Sequence, residues 1–340
     1  MKKLFFFMTL AAAVTTACRK EAAPESDDPQ AQKTSLTISI EDSMTTKVTG
    51  IKGDASDEEM VNSLQVFVFN GEVIDGYGTA ENTRSLKIGC TVGEREIYAL
   101  VNVPDLKTIT SRSELLAKTS SLGNDVHNME MIGKVTEVID KDTEPITVGV
   151  DRFAARVVVR KVINALTSPA LQKQDFVLKS MYLTNVAADV DYGKSPDYQI
   201  DKWYNKMFYD SGSNMPGSMT YDEIMEKISY DGSYETDHFF YAYPNNASHS
   251  SSDTWSPRST MLVLKIEIGG ILYNYPILLP ALESNMSYEL AEVRITRPGN
   301  MDDGKPGGKD EQEPVQGKDC DFTINVKSWT PKAVTEGTTI

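Results

Sequence analysis

The sequence predicts an all-β protein with minor helix, built as two antiparallel β-sandwich domains. Three observations lead there. Apolar and polar residues alternate with the period of a half-buried strand in many short segments; turn-forming Gly, Pro, Asn and Asp punctuate those segments; helical spacing is confined to two short stretches. A length of 340 residues leaves room for two domains, each able to bury a core.

The first element is an address rather than a fold. Lys2 and Lys3 precede an apolar run, Leu4 to Val14, shorter than the ~20 residues a spanning helix needs, as in a secretory signal. Thr15-Thr16-Ala17-Cys18 then sets small residues before a cysteine, the pattern of a lipoprotein signal peptide (residues 1–17) processed at Cys18. An ordinary signal with a chance cysteine is the alternative. Diacylglycerol and an amide-linked chain such as palmitate on Cys18 would give the two anchors that stable attachment to the outer membrane requires. Residues 18–33, rich in Glu, Asp, Pro, Ala and Gln, read as a flexible tether.

The strands follow. Alternation recurs at Leu36-Ile38-Ile40, Leu64-Val66-Val68, Leu86-Ile88-Cys90 and Ile97-Ala99-Val101, with Gly93-Glu94 expected to close a hairpin between the last two. Leu115, Leu116 and Leu122 at helical spacing, with Ser111 and Glu114 as a capping box, predict a helix over 111–122. Strand character resumes at Phe153 to Ile163 and Phe176 to Val186. The Pro169-containing stretch between them divides an N-terminal domain, 34–166, from a C-terminal domain, 167–340. The second domain is expected to hold a short helix at Tyr221 to Ile228. Its strands fall at Met261 to Ile268, Ile271 to Leu279, Tyr288 to Ile295 and Phe322 to Val326, with a tight turn at Gly269-Gly270 and an exposed loop from Pro298 to Lys318.

Charge and composition exclude several functions. A formal charge of −15 argues against a nucleic-acid partner, which needs clustered Lys and Arg. His127, His238 and His249 stand far apart without metal-ligand spacing, and Gly76-Tyr77-Gly78 lacks the third glycine of a dinucleotide fingerprint. No nucleophile elbow or P-loop occurs. Asp57-Glu58-Glu59 and Asp302-Asp303 read as solvated charge runs, and Asp189, Asp191 and Asp197 lack the glycine and final Glu of a calcium loop. No catalytic residue, metal or cofactor is therefore expected. Cys90 and Cys320 are expected as a free buried pair, a bridge being the alternative.

The order of several segments resembles the major fimbrial subunit (fimbrillin) family, the type V pilins of Bacteroidia. A lipoprotein signal and a first strand from Thr34 to Ile40 precede Asn62-Ser-Leu-Gln-Val-Phe-Val-Phe-Asn-Gly-Glu72 and the segment Ser85 to Asn102. Asp151-Arg-Phe-Ala-Ala-Arg-Val157, Met181-Tyr-Leu-Thr-Asn185 and Phe322-Thr-Ile-Asn-Val-Lys-Ser-Trp329 complete the series. The resemblance implies two sandwiches of Greek-key-like, transthyretin-like topology, a removable first strand, and a C-terminal donor strand that fills a neighbouring subunit's vacated groove. The removable segment is then 34–47, with Leu36, Ile38 and Ile40 facing the groove and a trypsin-like protease cutting between Lys47 and Val48. The donor strand spans about 327–340, with Trp329, Val334 and Ile340 as its groove-filling side chains. The implied function is a stalk pilin of a cell-surface fimbrium that supports adhesion, with other pilin subunits, anchor and tip proteins as partners. The implied locations are the outer membrane for the lipidated precursor and the extracellular fimbrium afterwards. A surface lipoprotein, or an anchor or tip subunit, that binds glycans or host ligands is the alternative. Its stacking platform would be Tyr198, Trp203, Tyr204, Phe208 and Tyr209, which otherwise read as packing residues. Asp42-Ser43-Met44 resembles an O-glycosylation acceptor. Residues 1–47 carry six basic and six acidic side chains, so the whole −15 resides in residues 48–340.

Overall fold

A computed structural model describes residues 32–42, 58–123, 125–208, 217–315, 317 and 319–329. The strands of the first half are β1 (Lys33–Asp42), β2 (Ser63–Asn70), β3 (Val73–Glu81), β4 (Ser85–Thr91), β5 (Gly93–Val101), β6 (Thr119–Ser121), β7 (Met131–Ile139), β8 (Ile146–Arg152), β9 (Ala155–Val159) and β10 (Val162–Asn164). The second half adds β11 (Phe176–Thr184), β12 (Val186–Ala187), β13 (Asp189–Asp191), β14 (Trp203–Tyr204), β15 (Tyr221–Lys227), β16 (Ser233–Tyr234) and β17 (His238–Ala242). It continues with β18 (Met261–Ile268), β19 (Ile271–Leu278), β20 (Met286–Ile295), β21 (Asn300–Met301) and β22 (Cys320–Ser328). Among the described residues, short α-helices interrupt them at α1 (Arg112–Leu116), α2 (Gly217–Thr220) and α3 (Lys309–Gln312), with 3-10 turns at Val126–Asn128 and Leu171–Lys173.

A seven-stranded sheet, ordered β3-β2-β5-β7-β8-β1-β4, folds over on itself to make the first sandwich. The four alternating segments of the sequence supply its core. Leu36, Ile38, Ile40, Leu64, Val66, Val68, Ile88, Cys90, Ile97, Ala99 and Val101 are all buried together, and Val148 and Val150 of β8 join them. The two ends of the sheet meet closely: a Cβ on Gly76 of β3 would stand 2.5 Å from the Gly89 carbonyl of β4, so only glycine fits. β2 buries its other face too, where Phe67 and Phe69 join a second core with Tyr98 and Leu100.

The expected β4–β5 hairpin is not formed. β4 pairs with β1, and β5 pairs with β2 and β7. The turn residue Gly93 is there, at φ 116°, but the buried Arg95 ties it to Val92, Thr91 and Asp75, and the chain crosses between layers instead of doubling back. The helix over 111–122 shortens to α1. Ser111 caps it by accepting from the Glu114 amide, while the Glu114 carboxylate reaches Thr110 and not Ser111; residues 119–121 are strand.

The second sandwich faces a five-stranded sheet, β15-β11-β18-β19-β21, against β16, β10, β20, β9, β17 and β22. β9 and β10 pair in parallel with β20. Both lie on the N-terminal side of the expected break at 166/167, yet their ladder partners are second-half strands. β18 and β19 join through Gly269-Gly270, at φ 58° and 85°, the positive values a two-residue hairpin turn demands. In place of the helix expected at Tyr221 to Ile228, Tyr221–Lys227 is strand: its pairing with β11 outweighs the helix propensity of Glu, Met and Lys. The stretch from Pro298 to Lys318 is not simply an exposed loop either, because β21 pairs with β19 and α3 buries Asp310, Glu311 and Gln312.

Candidate assembly site: the first strand and the root of the tail

β1 is an interior strand of its sheet. It runs antiparallel to β4, from the Lys33–Thr91 pair to Ser39–Ser85, and parallel to β8, from Ile38–Ile146 to Asp42–Val150. Alternation turns Leu36, Ile38 and Ile40 inward, where they are 1%, 0% and 4% exposed. Strand neighbours on both edges and an apolar row beneath make β1 the keystone of the first core. Lifting it out would expose the facing edges of β4 and β8 and an apolar slot between them. Lys47 and Val48, and with them Ser43 and Cys18, lie outside the described residues, as do Val334 and Ile340.

The chain returns to description at Glu58, which is not a solvated acid but the centre of a buried cluster, 1% exposed. Glu58 Oε1 accepts from the Tyr241 hydroxyl at 2.6 Å; Oε2 accepts from Arg156 Nη1 at 2.8 Å and from Trp329 Nε1 at 3.1 Å. Its carbonyl accepts from Arg152 Nε and Nη2 at 3.2 and 2.8 Å. The Trp329 ring stacks on Tyr241 with centroids 5.8 Å apart, and the guanidinium groups of Arg152 and Arg156 each lie 4.9 Å from its centroid. Two cations against an aromatic face and a carboxylate offset the cost of burying the Glu58 charge. Burial, then the Glu58 charge, holds the Tyr241 phenol far above its usual range, so it stays a donor. The Trp329 amide also donates to the Asn285 carbonyl at 2.9 Å.

This cluster corrects one expected role. Trp329 is 1% exposed inside its own chain, and residues 327–328 pair with Ser287 and Met286 of β20, so Trp329 is not a free groove-filling side chain. It fastens the end of β22 to Glu58. Glu58 was hidden from sequence reasoning inside an acidic run. The available signal was a pair of arginines, Arg152 and Arg156, among the apolar residues of the 151–157 segment, which need a buried anion.

Other expectations resolve locally. Cys90 and Cys320 are free and buried, and burial pushes the Cys320 thiol up to about 12. His238 sits between Asp222 Oδ2 at 2.7 Å and the Tyr234 hydroxyl at 2.9 Å, a satisfied structural histidine. Asp189 and Asp191 spend their carboxylates on the amides of Asp201, Lys202 and Ser195. Trp203 is buried edge-on to Trp255, the Tyr204 hydroxyl donates to the Leu122 carbonyl, and Phe208 is exposed; Tyr209 lies outside the described residues. These aromatics do not share one exposed platform. No described helix is long and apolar enough to cross a membrane.

Comparison with known proteins agrees with the architecture. The family profile described as "Major fimbrial subunit protein (FimA)" matches residues 34–150, a segment that reaches all seven strands of the first sheet. Two curated relatives called major fimbrium subunit FimA type-2, from Porphyromonas gingivalis, are 30% identical over 140 residues and 26% identical over 209. The alignments cover 40% and 54% of this chain, and the chain spans only 34% and 52% of those relatives' lengths. Among solved structures, a putative cell adhesion protein from Bacteroides eggerthii superposes with a TM-score of 0.65 at 19% identity, over 88% of this chain and 96% of the other. A fimbrilin (FimA) from P. gingivalis superposes at 0.59 with 15% identity, over 87% and 98%. The tip fimbrial protein Mfa3 of the same organism follows at 0.52 with 12% identity, over 88% and 100%. The chain therefore resembles the major fimbrial subunit family in sequence over its first sandwich and shares the fold of these proteins over most of its length. That family is one of structural subunits and not of enzymes.

Proposed function

We propose that the chain, as a relative of the major fimbrial subunits, is a stalk pilin of a surface fimbrium that supports adhesion. It is exported as a precursor lipidated at Cys18, cut between Lys47 and Val48 by a trypsin-like protease, and polymerised by donor-strand exchange. Two sandwich domains fit this reading, with β9 and β10 counted in the second. The seat of β1 carries it. Three aliphatic side chains buried at about 1.5–3 kcal/mol each hold the strand in place. Once the connection at Lys47 is cut, those interactions are intermolecular and open to replacement by a second chain's strand, which supplies both ladders and the apolar row. Residues 330–340 are the replacement, with Val334 and Ile340 taking the places of β1 side chains, while Trp329 holds the base of that segment on its own subunit.

Incubating purified residues 19–340 with trypsin tests this directly. The expected product begins at Val48 and forms head-to-tail polymers visible by size exclusion and electron microscopy. Cleavage after Lys47 that leaves only monomers would sink the exchange mechanism. N-terminal sequencing of protein taken from surface filaments assigns the role: Val48 marks a stalk subunit, and a lipidated Cys18 marks an anchor.

A further inference from the structure

The segment joining β20 to β22 folds back on the second sandwich and brings three carboxylates together. Asp302 and Asp303 follow β21, Asp310 lies in α3, and one oxygen from each falls within 4.8 Å of the others. An acidic cluster alone is ordinary, but two buried oxygens here have no partner. Asp310 is 8% exposed; its Oδ2 accepts from Asn274 Nδ2 at 2.6 Å and from the Asp303 amide at 3.3 Å, while its Oδ1 makes no hydrogen bond. Asn274, fully buried on β19 beneath the cluster, likewise leaves its Oδ1 unpaired, on the same amide that contacts Asp310. Leaving a buried acceptor unpaired is costly, more so when it is charged, so these oxygens call for a donor or a cation.

The carboxylate oxygens also converge. A Cβ on Gly308 would lie 2.6 Å from Asp310 Oδ1 and 2.8 and 2.9 Å from the two oxygens of Asp303, so all three converge on one side of that glycine. Asp302 completes the group, one oxygen accepting from the Gly304 amide and the other paired with Lys265. Three carboxylates against the single ammonium of Lys265 leave a balance of two negative charges.

We propose that Asp302, Asp303 and Asp310, held above the buried Asn274 amide, form a calcium site. An all-oxygen set without His or Cys selects a hard cation, and irregular loop ligands suit the flexible coordination of Ca²⁺ better than the strict octahedron of Mg²⁺. Bound calcium would pin α3 and β21 to β19 just ahead of the last strand. An extracellular module of this kind works at about 10⁻⁴–10⁻³ M calcium. The site is independent of the strand-exchange reading.

The test uses the full chain from residue 19, stripped with EDTA and dialysed at constant ionic strength. Calorimetric titration with CaCl₂ is expected to show one site, with thermal unfolding shifted upward by calcium and much less by MgCl₂. Asp303→Asn, at an exposed position, is expected to weaken calcium binding at least tenfold without changing the unfolding temperature in EDTA. Asp140→Asn, in a distant exposed turn, is expected to bind as the parent does. Absence of stoichiometric calcium binding to the parent chain, equal affinity for magnesium, or unchanged affinity in Asp303→Asn would each overturn the assignment.

Discussion

Glu58 and Glu130 show how the same side chain meets opposite surroundings. Glu58 is wrapped by Arg156, by Tyr241 and by Trp329 Nε1. Glu130, beside the start of β7, has no cation partner among the described residues; burial pushes its carboxyl up to about 7, with the Tyr192 hydroxyl donating at 3.4 Å. The linkage has a definite sign. Between the ordinary 4.5 and about 7 the folded chain binds more protons at this site than the unfolded chain, so stability falls as pH rises through that window and levels off above it. The slope is at most about 1.4 kcal/mol per pH unit. Glu130→Gln is therefore expected to unfold at a higher temperature than the parent at pH 8 and at nearly the same temperature at pH 4.5. Parallel melting curves across that range would count against the assignment. Neither environment was legible in the sequence, because both depend on partners brought from distant strands; Trp329 alone lies 271 positions from Glu58.

Strands are the scale at which the sequence spoke most clearly. The alternation of Leu36, Ile38 and Ile40 and of the segments around Leu64, Ile88 and Ile97 identifies one shared core correctly, because period two encodes a face irrespective of the partner strand. Pairing is what it does not encode. Gly93 signals a turn, but whether the chain doubles back or crosses layers is decided by the anchoring of Arg95 on Asp75. Tyr221 to Lys227 carries helix formers, and only the β11 edge makes it a strand. The face assignment of β1 can be tested by charge. Ile38→Asp buries a carboxylate without a partner and is expected to lower the denaturant stability of the full chain by about 3 kcal/mol or more. Ser35→Asp, exposed on the same strand, should change it by less than about 0.5 kcal/mol. Equal losses at both positions would mean that β1 has no inward face.

Over the whole molecule, residues distant in sequence converge. β1 closes the first core, and Glu58 holds Trp329 against Arg152, Arg156 and Tyr241. On the strand-exchange proposal, a subunit that gives up one terminal strand and lends another needs Glu58 and Trp329 fixed, so that exchange proceeds without opening the second sandwich. The −15 charge is carried entirely by residues 48–340, and on the same proposal it would keep unassembled copies apart in solution and leave the strand to specify contact. Two deletions separate anchoring from donation. Removing residues 330–340 is expected to leave the monomer's stability within about 0.5 kcal/mol of the parent and to abolish trypsin-triggered polymers. Trp329→Ala, with the tail intact, removes the ring from between Tyr241 and two guanidinium groups and is expected to cost about 3–5 kcal/mol. Chemical denaturation and size exclusion of the two variants side by side decide the matter. If the tail deletion still polymerises, the donor is not the C-terminal segment; if Trp329→Ala is as stable as the parent, the cluster at Glu58 does not anchor it.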